Sequence, residues 1–207
     1  MEIGAYQVVK ELARGGMGAV FLARGPDGEE VAIKLLLEGA PDPELVRRFR
    51  REAEALEALA HPGLLRVRGH GVANGRPYMV MDLLPGPTLA EVVKAEGPLP
   101  EARARALGQR MAAALAHAHA RGIVHRDLKP ENVILRGEEP VLVDFGLARQ
   151  TGFDASRLTE TGAILGSPRY MAPEQAQGDK DVGPAADVYA LGATLYFLLT
   201  GKPPFDG

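Results

Sequence analysis

The stretch HRDLKPEN, which spans His125 to Asn132, places an acid, a cation and an amide close together. Asp127 could accept the proton of a hydroxyl group, and Lys129 could neutralise a phosphoryl group during its transfer. Asp144 follows a second short apolar segment, and together with Asn132 it offers the oxygen ligands that Mg²⁺ accepts alongside substrate phosphates. These side chains indicate phosphoryl transfer with a divalent cation. By themselves, an acid and an amide at this spacing could also form only a solvated loop.

A glycine-rich segment near the start of the chain is a second candidate for phosphate binding. Leu12 to Val20 reads LARGGMGAV, and glycine lets the backbone approach an anion and present its N–H groups. Most glycine clusters between strands are plain turns, so this signal alone is weak. Lys34 ends the apolar run VAIK and could reach the same phosphate. Glu52 could hold that lysine, with Glu54 and Glu57 as rivals by composition.

The elements that would position these residues follow from hydrophobic periodicity. Alternating apolar residues predict a β-rich first part, and apolar residues at helical spacing predict a largely helical second part. The predicted strands are 6–10, 19–23, 30–36, 64–67, 78–81, 133–135 and 141–143, and the predicted helices are 44–60, a segment between Pro100 and Gly122, and 187–199.

Composition limits the classes of protein to which the chain could belong. Its 207 residues carry a net charge of −3, so no basic excess indicates a nucleic-acid surface. The absence of cysteine excludes disulfides and Cys-based zinc sites. We find no signal peptide and no run that could span a bilayer, and we therefore expect a cytoplasmic protein without a membrane segment. His117 and His119 face different directions on the predicted helix and cannot easily share a metal, so each is expected to be structural or solvated.

Six motifs, in order along nearly the whole chain, resemble those of the bacterial eukaryotic-like (Hanks-type) Ser/Thr protein kinases. They are the glycine segment, VAIK at 31–34, Glu52 in REA, HRDLKPEN, Asp144-Phe145-Gly146 and Ala172-Pro173-Glu174. The resemblance implies an α+β, protein-kinase-like fold of two lobes. It implies a nucleotide-binding N-lobe at 1–82 and a mostly helical catalytic C-lobe at 83–207. The implied activity is transfer of the ATP γ-phosphate to Ser/Thr of a protein substrate, with Mg²⁺, or Mn²⁺ in its place.

The resemblance also assigns roles to individual residues. Asp127 is implied to be the catalytic base, Lys129 to meet the γ-phosphate, and Asn132 and Asp144 to bind the metal. Met81 would be the gatekeeper of the adenine pocket, directly before the hinge. The residues expected to contact or position ATP are Leu12, Ala13, Arg14, Gly15, Gly16, Met17, Gly18, Ala19, Val20, Ala32, Lys34, Glu52, Met81, Asp82, Leu84 and Ile134.

Regulation by phosphorylation is a further expectation from the resemblance. Arg126 would face the activation segment, where in similar kinases this arginine pairs with a phosphate. Thr159 and Thr161 are the predicted autophosphorylation sites, modified between molecules that associate transiently. Thr151 and Ser156 lie further from the family pattern. The alternative is that these threonines are only polar loop residues.

Three departures from the family pattern qualify these expectations. Ala13 stands where the family has its first loop glycine, and Ser167 replaces a threonine. The chain ends at Gly207, soon after the helix of Asp187, whereas similar kinases continue through further helices. We therefore expect a C-lobe that lacks its last helices. This keeps open a second hypothesis, a catalytically weak or inactive kinase-like module that binds a nucleotide or a partner.

Overall fold

The computed structural model describes residues 1–15, 18–36, 43–145, 168–179 and 181–205. Two compact units are present. The first comprises Met1–Ala60 and Leu65–Leu83, and the second comprises His61–Leu64 and Leu84–Gly207. Both units contain helices or helical turns together with β-structure, and the predicted α+β class is confirmed.

The first unit is built on one antiparallel sheet of six strands. The strands are β1 (Glu2–Ile3), β2 (Tyr6–Gly15), β3 (Gly18–Arg24), β4 (Glu30–Leu36), β5 (Val67–Ala73) and β6 (Arg76–Asp82). Their order in the sheet is β1-β2-β3-β4-β6-β5. Buried apolar residues alternate along β3 and recur along β4, which is the pattern of a sheet with one face on a core. The core on this face comprises Ile3, Ala19, Phe21, Ala23, Val31, Ile33, Leu35 and Val80.

One helix, α1 (Pro43–Glu57), packs on β5 in this unit. Phe49, Ala53 and Leu56 are buried at helical spacing and form its inner face. The helix predicted at 44–60 therefore exists, but it ends three residues earlier. The N–H of Leu59 bonds the carbonyl of Leu56 at 3.0 Å, which tightens the last turn.

The strand predicted at 64–67 is wrong. The structure begins β5 at Val67 and pairs it with β6 through a tight turn at Asn74 and Gly75. Both turn residues have positive φ, 51° and 76°, as a two-residue hairpin turn of this kind requires. The dipeptide Asn-Gly between two apolar runs was the sequence signal for this hairpin.

The second unit is mostly helical, with one short hairpin. Its elements are α2 (Leu89–Glu96), α3 (Glu101–His119), β7 (Val133–Arg136), β8 (Glu139–Leu142), α4 (Pro173–Ala176), α5 (Pro184–Thr200) and the 3₁₀ turns Pro130–Asn132 and Pro168–Tyr170. Helix α3 packs on both α5 and β8, and its apolar stripe includes Leu107, Met111 and Leu115. Helix α2 was not predicted, although Thr88 and Glu91 form a capping box at its start.

The segment His61–Leu64 belongs to the second unit although the elements before and after it in the sequence belong to the first. The carbonyl of Gly63 accepts a 2.9 Å hydrogen bond from the N–H of Leu142, and Leu64 forms an isolated parallel bridge with the same residue. A side chain at Gly63 would approach Ala114 to 3.1 Å, so the close packing here favours glycine. Within the described residues, no helix is long and apolar enough to cross a membrane.

Candidate active site

Two predicted catalytic side chains, Asp127 and Lys129, meet the predicted metal ligand Asn132 in the loop that connects α3 to β7. The Nζ of Lys129 lies 3.0 Å from Oδ2 of Asp127, and the Nδ2 of Asn132 lies 2.9 Å from the same oxygen. Asn132 Nδ2 also donates to the backbone carbonyl of Asp127 at 2.8 Å. The carboxylate of Asp127 is therefore oriented by a cation and an amide at once.

These contacts also orient the side chain of Asn132. Its two partners, a carboxylate and a carbonyl, are acceptors only, so the amide nitrogen must face them. The Oδ1 atom is consequently turned away from Asp127. Asn132 is only 7% exposed and lies in the 3₁₀ turn that leads into β7, which holds this oxygen in one direction.

A buried aspartate on α5, which was not among the predicted site residues, anchors the same loop. Asp187 is fully buried and accepts hydrogen bonds from the backbone N–H groups of His125 and Arg126, both at 2.8 Å. Its Oδ2 also lies 2.7 Å from Nε2 of His119, a contact that gives this histidine a structural role. The only sequence signal was an acid at an otherwise apolar helix position, and folding brings it to a loop some sixty residues earlier.

His125 is fully buried and its tautomer follows from its partners. Nε2 lies 3.0 Å from the carbonyl of Val143, so this nitrogen carries the hydrogen. Nδ1 accepts from the N–H of Asp127 at 3.3 Å and is unprotonated. The ring lies against Phe145, with the ring centroids 4.5 Å apart. Burial holds the pKa of His125 below its usual value, against the opposing charges of Asp187, Asp127 and Asp144.

This burial predicts a pH dependence of stability. Because the pKa of His125 is lower in the folded chain, the unfolded chain binds more protons below about pH 6.5. The free energy of unfolding should therefore fall as the pH drops through that value. We expect His125→Gln, whose amide can still donate to Val143, to lose less stability than the wild type between about pH 7.5 and about pH 5.5. Urea unfolding at several pH values measures the difference, and equal pH slopes would contradict the assignment.

Two residues beside the candidate catalytic groups have left-handed backbone conformations. Arg126 has φ 64° and Asp144 has φ 56°. This backbone conformation is unfavourable for residues other than glycine, and it occurs often at functional sites. The Nη2 of Arg126 donates to the carbonyl of Val182 at 3.2 Å. The segment that Arg126 is expected to face, 146–167, lies outside the described residues.

In the first unit, the predicted nucleotide residues Val20, Ala32, Lys34 and Met81 share one face of the sheet, whereas Ala19 lies on the other face, in the core. Val20 pairs with Lys34, and Ala32 pairs with Met81, in the registers of β3–β4 and β4–β6. These residues alternate with the core residues of the sheet and therefore lie on the opposite face. Among the candidate carboxylates, Glu54 bonds Arg50 at 2.8 Å and Glu57 bonds His70 at 2.6 Å, whereas Glu52 precedes the fully buried Ala53 on α1.

The described residues of the glycine segment lie at the paired ends of β2 and β3. Leu12 to Gly15 belong to β2, and Ala13 pairs with Val20, so β2 is longer than predicted. A side chain at Gly18 would come within 2.3 Å of the Leu35 carbonyl, so glycine is required there. The predicted residues Gly16, Met17, Gly146, Thr159, Thr161 and Ser167 lie outside the described residues.

The predicted hinge begins at the end of β6. The carboxylate of Asp82 accepts a hydrogen bond from Arg68. The backbone N–H of Asp82 donates to the carbonyl of Arg66 at 3.0 Å. In the second unit, Ile134 lies on β7 opposite Val141 and bridges to Thr88. Leu84 is the residue at which the chain enters the second unit after β6.

Comparison with known proteins identifies the family to which this arrangement belongs. The protein kinase domain family matches residues 6–207. The chain belongs to the protein kinase domain family. The kinase domain of Mycobacterium tuberculosis PknI has the same fold, with a TM-score of 0.79 and 34% identity over 100% of this chain and 78% of that one. The predicted protein-kinase fold is confirmed.

Curated relatives of this kinase domain include bacterial proteins named as serine/threonine-protein kinases. Probable serine/threonine-protein kinase PkwA of Thermomonospora curvata is 43% identical over 98% of this chain, and PkaA of Streptomyces coelicolor is 44% identical over 98%. The chain spans only 27% and 40% of the lengths of these two proteins. Kinase domains in general use ATP with a divalent metal ion and act on proteins.

Proposed function

We propose that this kinase domain transfers the γ-phosphate of ATP to serine and threonine hydroxyls of a protein substrate. The observation that carries the proposal is the Asp127 carboxylate, held at hydrogen-bond distance by Lys129 and Asn132. In this proposal, residues 1–82 bind the nucleotide and residues 83–207 supply the catalytic groups. A signalling role in the bacterial cytoplasm, where ATP is available, fits the same chemistry.

The proposed role of each catalytic residue follows from its chemistry and surroundings. Asp127 accepts the proton of the attacking hydroxyl, because its carboxylate is presented by two donors that keep it in one orientation. Lys129 lies beside that carboxylate and can neutralise charge on the phosphoryl group while it moves. The buried Asp187 holds the backbone of the loop and so supports the direction of both side chains.

The side chains of Asn132 and Asp144 suit Mg²⁺, or Mn²⁺ in its place. An amide oxygen and a carboxylate are hard ligands, and magnesium typically takes one or two carboxylates together with phosphate oxygens. The orientation of Asn132, set by its two bonds to Asp127, supports this fit because it directs Oδ1 elsewhere. When bound, the metal would neutralise the phosphates of ATP and align them for transfer.

On the nucleotide side, the proposal assigns the phosphates to the hairpin of β2 and β3 and to Lys34, with Glu52 as the carboxylate that positions the lysine. Glu52 is half-buried on α1, whereas Glu54 and Glu57 are exposed, and this favours Glu52 over its rivals. Val20, Ala32, Met81 and Ile134 would enclose the adenine, with backbone groups of Asp82 and Leu84 as its hydrogen-bond partners.

The test is incubation of the chain with ATP labelled at the γ-phosphate, Mg²⁺ and a generic basic protein as acceptor. We expect label on serine and threonine of the acceptor. Binding of a fluorescent ATP analogue, measured on the same preparation, separates the alternatives. Nucleotide binding without transfer would favour a kinase-like binding module and would refute the proposed activity.

We further propose autophosphorylation of Thr159, Thr161 or both, between transiently associated molecules. A phosphate in this segment could pair with Arg126 and raise activity. We expect phosphopeptide mass spectrometry after incubation with MgATP to find one of these threonines modified, at a rate that rises with protein concentration. The double variant Thr159→Ala/Thr161→Ala should be less active towards added acceptor, whereas Thr151→Ala serves as the matched control. Full activity of the double variant would refute the switch.

A further inference from the structure

Gln175 makes two side-chain contacts that join different parts of the second unit. Its Oε1 accepts a 3.2 Å hydrogen bond from the N–H of Ala172, at the start of the short helix α4. Its Nε2 donates to the backbone carbonyl of Arg126 at 2.8 Å. The first contact reaches back to the Ala172-Pro173-Glu174 motif, and the second reaches the loop of the candidate catalytic residues.

The second contact is made to Arg126, a residue of that loop with an unfavourable backbone conformation. Arg126 has φ 64°, a conformation that costs free energy for any side chain other than glycine and persists only where the surroundings hold it. Its N–H is bound by the carboxylate of Asp187 at 2.8 Å, and its carbonyl is bound by Gln175. Arg126 is therefore held on both sides by side chains from elements that follow it in the sequence.

The carbonyl of Arg126 and the N–H of Asp127 belong to the same peptide plane. A peptide group is rigid, so fixing the direction of that carbonyl also fixes the direction of the N–H, and with it the start of the Asp127 side chain. The same N–H donates to Nδ1 of the buried His125. Gln175 thus acts on the candidate base through one peptide bond, without touching the reacting atoms.

We propose that Gln175 is a positioning residue for phosphoryl transfer, which couples helix α4 to Asp127 through the carbonyl of Arg126. This inference rests on the proposed kinase activity. A displacement of about 1 Å in a catalytic group can lower a rate by about a hundredfold, so one hydrogen bond that sets its direction has a large effect. The structural alternative is that Gln175 only caps α4.

Substitution by glutamate separates the two roles. In Gln175→Glu the side chain keeps an oxygen for the N–H of Ala172, as a glutamate in a capping box does. It loses the donor to Arg126 and places a carboxylate against a carbonyl. Gln175→Met removes both contacts at similar volume. Gln177→Glu is the matched control, because it introduces the same charge at an exposed position on the same short segment.

We expect Gln175→Glu to lower kcat by about 10- to 100-fold with the KM for ATP unchanged within about twofold, and with a thermal midpoint like that of the wild type. Gln177→Glu should have wild-type kcat. Gln175→Met should lose kcat to a similar degree. Wild-type kcat in Gln175→Glu would show that the residue only caps α4 and would overturn the proposal.

Hydrogen–deuterium exchange on the same variants gives a result that does not depend on activity. In Gln175→Glu we expect faster exchange in the peptide that contains His125, Arg126 and Asp127, and unchanged exchange in the peptide of α4. Unchanged exchange in the first peptide would overturn the coupling. If the wild-type chain transfers no phosphate, the proposed kinase activity is wrong, and the exchange result alone decides whether Gln175 holds the loop.

Discussion

Replacement of Asp127 by asparagine should lower phosphoryl transfer by about 10²- to 10⁴-fold, the range that a positioned general base contributes. The amide of Asp127→Asn has the shape of the carboxylate but cannot accept the hydroxyl proton. It can still accept a hydrogen bond from Lys129 or Asn132, whose nitrogen atoms lie 3.0 Å and 2.9 Å from Oδ2 in the wild type. The loop should therefore keep its structure while the chemistry fails.

Labelled MgATP with a basic acceptor protein measures the rate, and circular dichroism with thermal unfolding measures the fold. Asp181→Asn is a suitable control, because Asp181 is exposed and the change removes the same charge from the same unit. Transfer by Asp127→Asn at the wild-type rate would mean that another group accepts the proton. An unfolded variant would instead point to a structural role for the carboxylate.

Asp187→Ala should have the largest effect on stability, a loss of about 3 kcal/mol or more in the free energy of unfolding. The carboxylate is fully buried, accepts from the N–H groups of His125 and Arg126, and contacts His119. Alanine leaves these groups without their acceptor in a buried site, and each unsatisfied buried donor costs about 1–3 kcal/mol. Loss of activity should accompany the loss of stability, because the loop that carries Asp127 is no longer anchored.

Urea unfolding of Asp187→Ala and of the control Asp179→Ala measures this difference. Asp179 is exposed, so its change should alter stability by no more than about 0.5 kcal/mol. A similar small value for Asp187→Ala would show that water or a rearranged side chain satisfies the donors of the loop.

The strands that were predicted well are those whose apolar residues follow the period of a strand. In β3 and β4 the buried side chains meet the core of the sheet, and the periodicity of the sequence reflects this directly. The start of β5 was placed wrongly because Leu64 and Leu65 continue the apolar run. Leu64 is buried by packing that local periodicity does not encode, since it bridges to Leu142, far along the chain.

The same difference between local and long-range contacts applies to the candidate site. Asp127, Lys129 and Asn132 lie within one short stretch, and their mutual contacts could be anticipated from the motif alone. The supporting residues could not, because Asp187 and Gln175 reach the loop across 61 and 49 positions of sequence. No local pattern distinguishes a buried aspartate at the start of an apolar helix, or a glutamine in a short one, from a polar residue on the surface.

The placement of His61–Leu64 has a consequence for the way this domain can be divided. The chain passes from the first unit to the second, returns after four residues, and passes over again after Leu83. Neither unit is therefore a continuous piece of polypeptide. A fragment that begins at Leu84 lacks the carbonyl of Gly63, which is the acceptor for the N–H of Leu142, and it lacks the buried side chain of Leu64. No single cut of the chain therefore separates these two units with both of them whole.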